Sequence, residues 1–166
     1  MKIAILIISF LLDGIITNFI SIDSIFYPLF TLVALIVIFP YFNDNKDYYK
    51  SAFAIGLAYD LIYTDTLIYY SFLFLFLSFL ISKLIKFLAD NYISLIIITL
   101  IIIVIFRSIT FLFISLIGNI PFDINIWFKS IYSSVIINII YVIILSIVTN
   151  FLSNKFRIRK SSLRYW

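Results

Sequence analysis

Long runs of apolar residues, separated by short polar segments, make up almost the whole chain. A helix that crosses the roughly 30 Å hydrocarbon core of a membrane needs about 20 mostly apolar residues. Six runs approach this length, and they predict spans at residues 3–20, 25–42, 48–63, 67–88, 92–118 and 126–152. None of the runs alternates apolar and polar residues, as the strands of a membrane barrel do. The pattern therefore predicts an all-α integral membrane protein with one transmembrane domain.

The third run is the weakest, because its apolar centre is short and contains Gly56 and Asp60. The distribution of basic residues tests whether it is nevertheless a span. With six spans and a cytoplasmic N-terminus, ten basic residues fall on the cytoplasmic side and only Lys129 lies in an outer loop. Without the third span, the charged segments 43–50 and 83–86 would lie on opposite sides. The charges therefore predict six helices with both termini in the cytoplasm.

Composition supports a membrane protein and narrows its chemistry. Of the 166 residues, 64% are hydrophobic and 12% are charged, whereas soluble domains have roughly 45–50% apolar and about 25% charged residues. The chain has no histidine and no cysteine, and its acidic residues are all aspartates. A thiolate nucleophile, an imidazole base and a zinc site of the usual ligands are therefore excluded. We expect no metal, no cofactor and no enzymatic activity.

Three charged residues, Asp13, Asp60 and Arg107, fall inside the predicted spans. Each charge at the centre of a spanning helix costs about 2.5–3.5 kcal/mol on insertion scales. One hypothesis is that Arg107 faces one or both aspartates, since a guanidinium can bridge two carboxylates. Alternatives are that such a pair only fixes the register of the helices, that the charges form a proton or transport relay, or that an aspartate reaches an interface.

Small and polar residues mark faces that are expected to contact other helices. Gly14, beside Asp13, would let another backbone come close. Ala52, Gly56 and Asp60 are spaced four residues apart and share one face of the third helix, which predicts packing of that face against a neighbour. Asn138 lies near the middle of the sixth helix, where an interhelical hydrogen bond is expected.

A basic segment, residues 153–166, follows the last predicted span. Its cationic residues are Lys155, Arg157, Arg159, Lys160 and Arg164. We expect this tail to hold the C-terminus in the cytoplasm and to contact anionic lipid. A cytoplasmic protein partner is an alternative, whereas nucleic acid binding is not expected of so short a tail tethered to the membrane.

One stretch carries a family resemblance. Residues 56–61 read Gly-Leu-Ala-Tyr-Asp-Leu, in a short third helix that a long apolar fourth helix follows. This arrangement resembles the signature of the bacterial rod shape-determining protein MreD family. The resemblance extends to chain length, to Asp13-Gly14, to Arg107 and to Asn138. Members of that family often carry a glycine in the loop before the fourth helix, whereas residues 63–67 here read Tyr-Thr-Asp-Thr-Leu.

The resemblance implies a non-enzymatic, multi-pass component of the cell-elongation machinery in the bacterial cytoplasmic membrane. Such a protein would bind the shape-determining protein MreC. Through it, the protein would influence the RodA glycosyltransferase and a penicillin-binding transpeptidase, with an indirect link to MreB filaments. The family is also similar in helix count to the substrate-binding S components of energy-coupling-factor vitamin transporters. A six-helix bundle resembling an S component is therefore the expected architecture.

Two other functions compete with a scaffold. A vitamin-binding S component typically docks its partner through a row of alanines in the first helix, but Ala4 is followed four residues later by Ile8. A membrane enzyme could use Asp13 and Asp60 as a dyad sharing one proton. Neither aspartate lies in a recognisable catalytic motif, and Arg107 offers a simpler role as their counter-ion.

Overall fold

A computed structural model describes residues 1–19, 28–64, 66–88, 91–118 and 121–157. Within these ranges the chain forms six α-helices and one 3-10 turn, and it contains no strand. The helices are α1 (Lys2–Phe19), α2 (Phe30–Ile38), α3 (Asn45–Ile62), α4 (Tyr69–Phe87), α5 (Tyr92–Leu116) and α6 (Ile124–Lys155), and the 3-10 turn Phe39–Tyr41 extends α2. The predicted all-α fold with six helices is confirmed over the described residues.

The helices differ in their capacity to cross a membrane. Among the described residues, α4, α5 and α6 are long and apolar enough to do so, and Phe30–Tyr41 is a shorter apolar helix. The second predicted span, 25–42, is thus represented by only a short helix, since residues 20–27 lie outside the described ranges. All nine residues of α2 are buried, as expected of a helix that is apolar on every side. It lies inside the bundle, in contact with α1, α4, α5 and α6.

Successive helices run antiparallel, so that the first turns of α1, α3 and α5 lie beside the last turns of the helices that follow them. Three contacts at this end of the bundle join Lys2 to Phe42, Tyr49 to Ser82 and Tyr92 to Asn150. The same end, called the basic end below, holds Lys2, Lys46, Lys50, Lys83, Lys86, Lys155 and Arg157. At the opposite end, the chain leaves α1, α3 and α5 and enters α2, α4 and α6.

Three helices begin with a capping residue of their own. The side chains of Asp44, Asn91 and Asp123 accept hydrogen bonds from the amides of Lys46, Ser94 and Asn125 at 2.9, 2.7 and 2.8 Å. These residue types are the preferred N-caps, because their side-chain oxygens satisfy amides that have no partner within the helix. By contrast, α2 and α4 are preceded by Leu29 and Ile68, which provide no such side-chain hydrogen bond. Their first turns require acceptors from elsewhere.

Candidate functional site

Asp13 supplies the missing acceptors for α2 from the middle of α1. Its carboxylate accepts hydrogen bonds from the amides of Phe30 and Thr31 at 2.7 and 2.9 Å and from the Thr31 hydroxyl at 2.6 Å. The hydroxyl of Tyr59 in α3 donates a fourth, at 3.1 Å. Asp13 is only 2% exposed. One buried carboxylate thus joins three helices.

Asp60 does the same for α4 from the last turns of α3. Its carboxylate accepts hydrogen bonds from the amides of Tyr70 and Ser71, both at 2.9 Å. The hydroxyls of Ser71 and Thr66 donate two more, at 2.7 and 2.8 Å. Each of these two buried aspartates therefore has four donors, and in each case two are amides in the first turn of the next helix.

The physical reason for this arrangement is the chemistry of a helix start. The first amides of a helix have no intrahelical acceptor, and the aligned peptide dipoles place about half a positive charge there. A buried amide that is left without an acceptor costs about 1–3 kcal/mol. A carboxylate placed among them relieves this cost and is itself stabilised by charge-assisted hydrogen bonds. Asp13 and Asp60 therefore cap α2 and α4.

Arg107 does not form the predicted hydrogen-bonded bridge to the aspartates among the described residues. Its Nε donates to the hydroxyl of Ser134 in α6 at 2.7 Å, and its guanidinium lies 5.9 Å from the ring centre of Phe106. Asp13 and Arg107 line the same cavity. The hydrogen bonds that the Asp13 carboxylate accepts come from amides and hydroxyls. The helix starts thus take the role that the pairing hypothesis gave to the guanidinium.

Asn138 adds a further acceptor at the start of α2. It is fully buried, and its Oδ1 accepts a hydrogen bond from the amide of Leu29 at 2.9 Å. Its Nδ2 donates to the carbonyl of Ser134 at 2.6 Å. The first amides of α2 are therefore held from two sides, by Asp13 in α1 and by Asn138 in α6.

The row of small residues in α3 packs against α4. Ala52 and Gly56 are buried on the same face as Asp60. A Cβ atom at Gly56 would lie 2.6 Å from the Cα of Ser71 and 2.7 Å from the carbonyl oxygen of Tyr70. The glycine thus permits the close approach of two backbones that brings the amides of α4 to Asp60.

Gly14 creates space for a side chain rather than for a backbone. A Cβ atom there would overlap the ring of Tyr63 at the end of α3. The Tyr63 hydroxyl donates to the carbonyl oxygen of Phe10 at 2.7 Å. The ring centres of Phe10 and Tyr63 are 4.6 Å apart. This contact fastens the end of α3 to α1 beside the Asp13 cap.

The partners of the two aspartates were not identified from the sequence. They include Thr31 and Ser71, each of which follows an aromatic residue at the beginning of an apolar run. The recognised sign of a helix N-terminus is a Ser, Thr, Asp or Asn residue at the N-cap, whereas α2 and α4 are preceded by Leu29 and Ile68. The sequence therefore marks neither helix start in this way, and it does not show which distant carboxylate reaches it.

The basic tail is described only in part. Lys155 lies in the last turn of α6, and Arg157 follows it with a positive φ of 52°. Arg159, Lys160 and Arg164 lie outside the described residues. The contact of this tail with lipid or with a protein stays a prediction.

The described aspartates serve structure. Of the five, Asp13, Asp44, Asp60 and Asp123 cap helices, and Asp47 lies in the first turn of α3. Within the described ranges no three His, Cys, Asp or Glu side chains are grouped so that they could hold a metal ion. The arrangement therefore stabilises helix starts inside an apolar bundle.

Comparison with known proteins gives one family. The model of the rod shape-determining protein MreD matches residues 1–156, which include all six helices. Searches of curated proteins and of solved structures give no significant match. The family consists of shape-determining membrane proteins that are generally not enzymes, and the match does not favour a vitamin-transporter subunit. The chain belongs to the MreD family of rod shape-determining membrane proteins.

Proposed function

We propose that the protein is a multi-pass scaffold of the elongation machinery in the bacterial cytoplasmic membrane. It binds an MreC-like membrane protein and thereby influences peptidoglycan synthesis by a RodA-like glycosyltransferase and its penicillin-binding transpeptidase partner. Its link to MreB filaments is indirect. The protein itself performs no chemical step in this role.

The observation that carries the proposal is the use of the intramembrane carboxylates as helix caps. Asp13 and Asp60 each accept four hydrogen bonds from helix starts and neighbouring hydroxyls. A general acid or base must instead be within hydrogen-bond reach of a substrate proton. A scaffold binds its partners through its outer surface, and that surface keeps its shape only if the helices are held in place. Helix caps inside the bundle are suited to this role.

The outer surface offers apolar faces to partner helices and to lipid. Large apolar side chains are exposed along α1, α4 and α6, and examples are Ile8, Phe72 and Ile140. In a membrane such faces contact either acyl chains or the helices of other proteins, and association there depends on packing and on interhelical hydrogen bonds. A single-span partner could therefore dock on the bundle without any extramembrane domain.

The basic end supports a cytoplasmic placement of both termini. Seven of the described basic residues lie at this end, whereas Lys129 lies near the opposite end. This asymmetry agrees with the positive-inside rule if the basic end faces the cytoplasm. Each basic residue near an anionic membrane surface contributes about 1 kcal/mol of attraction. Anionic lipid is thus a proposed partner of this end and of the tail. The six helices are also consistent with an S-component-like bundle, which remains part of the proposal.

Site-directed photocrosslinking in the native membrane tests the scaffold role. A photoreactive amino acid is placed at exposed positions on three faces, Ile8 in α1, Phe72 in α4 and Ile140 in α6. We expect an MreC-like protein to be crosslinked from one face only, so that the other two positions serve as matched controls. Absence of such a crosslink from every face, or copurification of a stoichiometric vitamin, would contradict the proposal.

A further inference from the structure

An open groove of about 620 Å³ lies between α4 and α5, in the half of the bundle opposite the basic end. Its walls are mainly apolar and rich in aromatic rings, and its lining includes Tyr69, Phe72, Phe76, Ile109 and Phe113. The rings of Tyr69 and Phe113 are stacked with their centres 3.9 Å apart, so they join the two helices beside the groove. In a membrane such a groove faces either an acyl chain or the helix of another protein.

A row of exposed phenylalanines connects the groove to the basic end along α4. Phe72, Phe76 and Phe79 are 62%, 47% and 48% exposed. Lys83 continues the same row, because residues three or four positions apart lie on one face of a helix. Phe72 and Phe76 line the groove, whereas Lys83 belongs to the basic end. The row therefore combines an apolar surface with a cation at one of its ends.

The ammonium group of Lys83 lies along this row. Its Nζ is 5.5 Å from the ring centre of Phe79, which is within the range of a cation–π contact. Side chains in a helix point towards its N-terminus, and the groove lies at the N-terminal end of α4. The exposed ammonium group is thus placed beside apolar surface at the edge of the row, where an anionic head group would stabilise it.

We propose that the row and the groove bind one anionic phospholipid, with its phosphate at Lys83 and an acyl chain that follows the phenylalanines into the groove. The rise of 1.5 Å per residue places Phe72 about 16 Å from Lys83 along the helix. One leaflet contributes roughly 15 Å, half of a hydrocarbon core of about 30 Å. An acyl chain therefore reaches the groove when its head group lies at Lys83.

Charge complementarity favours a phospholipid over a partner helix as the occupant of this face. A phospholipid brings an acyl chain and a negative charge together, in the order in which the groove and Lys83 are arranged. An apolar helix fits only the groove. This site is more specific than the general attraction of the basic end for anionic lipid, and it is independent of the scaffold role, which photocrosslinking tests separately.

Native mass spectrometry of the purified full chain in a neutral detergent tests the proposal, because it counts the bound lipids. The probes are long-chain phosphatidylglycerol, phosphatidylcholine with the same chains, whose head group has no net charge, and short-chain phosphatidylglycerol. We expect one long-chain phosphatidylglycerol to bind more tightly than either of the other probes. Equal binding of the two long-chain lipids would overturn the proposal and leave the groove to a partner helix. A lipid-free dimer would overturn it in favour of a second copy.

The head-group contact is tested by Lys83→Gln. This substitution should weaken the binding of long-chain phosphatidylglycerol about fivefold, as expected for the loss of one basic residue near an anionic head group. Lys155→Gln is the matched control, because Lys155 lies at the same end of the bundle but in α6, and its affinity should not change.

The acyl-chain contact is tested by Phe76→Ala. Phe76 lies about 10 Å from Lys83 along the helix, so the substitution should weaken long-chain phosphatidylglycerol severalfold and leave the short-chain lipid unaffected. Phe151→Ala is the matched control, because Phe151 is an exposed phenylalanine of α6 that does not line the groove. Unchanged affinity in either Lys83→Gln or Phe76→Ala, or an equal loss in the matching control, would overturn the proposal.

Discussion

Asp13 and Thr31 are joined by two hydrogen bonds to one carboxylate oxygen, from the threonine amide at 2.9 Å and from its hydroxyl at 2.6 Å. Asp60 and Ser71 repeat this relationship with distances of 2.9 and 2.7 Å. In both cases the aspartate belongs to one helix and the hydroxyl residue to the first turn of the next. The two buried aspartates Asp13 and Asp60 thus organise consecutive helices in the same way twice.

The Thr31 hydroxyl provides a direct measure of the first cap. Thr31→Val removes its hydrogen bond to Asp13 with little change of shape, and hydrogen bonds to charged groups contribute about 1.5–3 kcal/mol. We expect a loss of this size in the free energy of unfolding in detergent. Thr99→Val is the matched control, because the buried Thr99 hydroxyl donates only to the Leu95 carbonyl of its own helix. An equal loss in both variants would show that the cap contributes nothing special.

Gly56 is expected to be the glycine that tolerates substitution least. Gly56→Ala would place a Cβ atom 2.6 Å from the Cα of Ser71, and backbone atoms cannot rotate away as a side chain can. We expect the free energy of unfolding to fall by about 3 kcal/mol or more, since overpacking is costly and the Asp60 cap shifts with α4. The measurement is chemical unfolding in detergent.

Gly118→Ala is the control for this substitution. Gly118 has a φ of 84° and open space around its Cβ position, so only backbone strain of about 1–2 kcal/mol is expected. A larger loss at Gly118 than at Gly56 would contradict the close packing of α3 against α4.

Ile68 marks a strained turn before α4. Its φ of 64° is left-handed, which costs a residue other than glycine roughly 1–2 kcal/mol. Ile68→Gly relieves this strain, which outweighs the cost of glycine in the unfolded chain, so it should raise the free energy of unfolding by up to about 1 kcal/mol; the Ile68 side chain is 46% exposed. Leu67→Gly, at the adjacent and more exposed position, should instead lower stability slightly, since glycine is more flexible in the unfolded chain. A loss of stability in both variants would show that the turn is not strained.

Much of the fold could be predicted from the hydropathy pattern, because long apolar runs have few structural solutions. The number of helices follows from the six apolar runs. The placement of the lysines and arginines indicates which helix ends lie at the same end of the bundle. The third helix was predicted from a short apolar run together with the placement of the basic residues, and a helix, α3, is present there as Asn45–Ile62. The turn before α4 lacks the glycine that members of the family often carry, and Ile68 occupies a left-handed position there.

The hydrogen-bond partners of Asp13 and Asp60 could not be predicted, because each aspartate lies far from its partners in the sequence. Asp13 is 17 residues from Phe30, and hydropathy does not tell a helix start from the middle of an apolar run. Charge complementarity suggested Arg107 as the partner of the aspartates. The positive end of a helix also stabilises a carboxylate, and no charged residue in the sequence marks its position.

Residue-level amide hydrogen exchange tests the central claim most directly, that Asp13 and Asp60 cap α2 and α4 respectively. The full chain in detergent is compared with Asp13→Ala and Asp60→Ala. Loss of protection is predicted at Phe30 and Thr31 in the first variant and at Tyr70 and Ser71 in the second, while the other pair keeps its protection. Unchanged protection at both helix starts, or the same loss in both variants, would contradict the account.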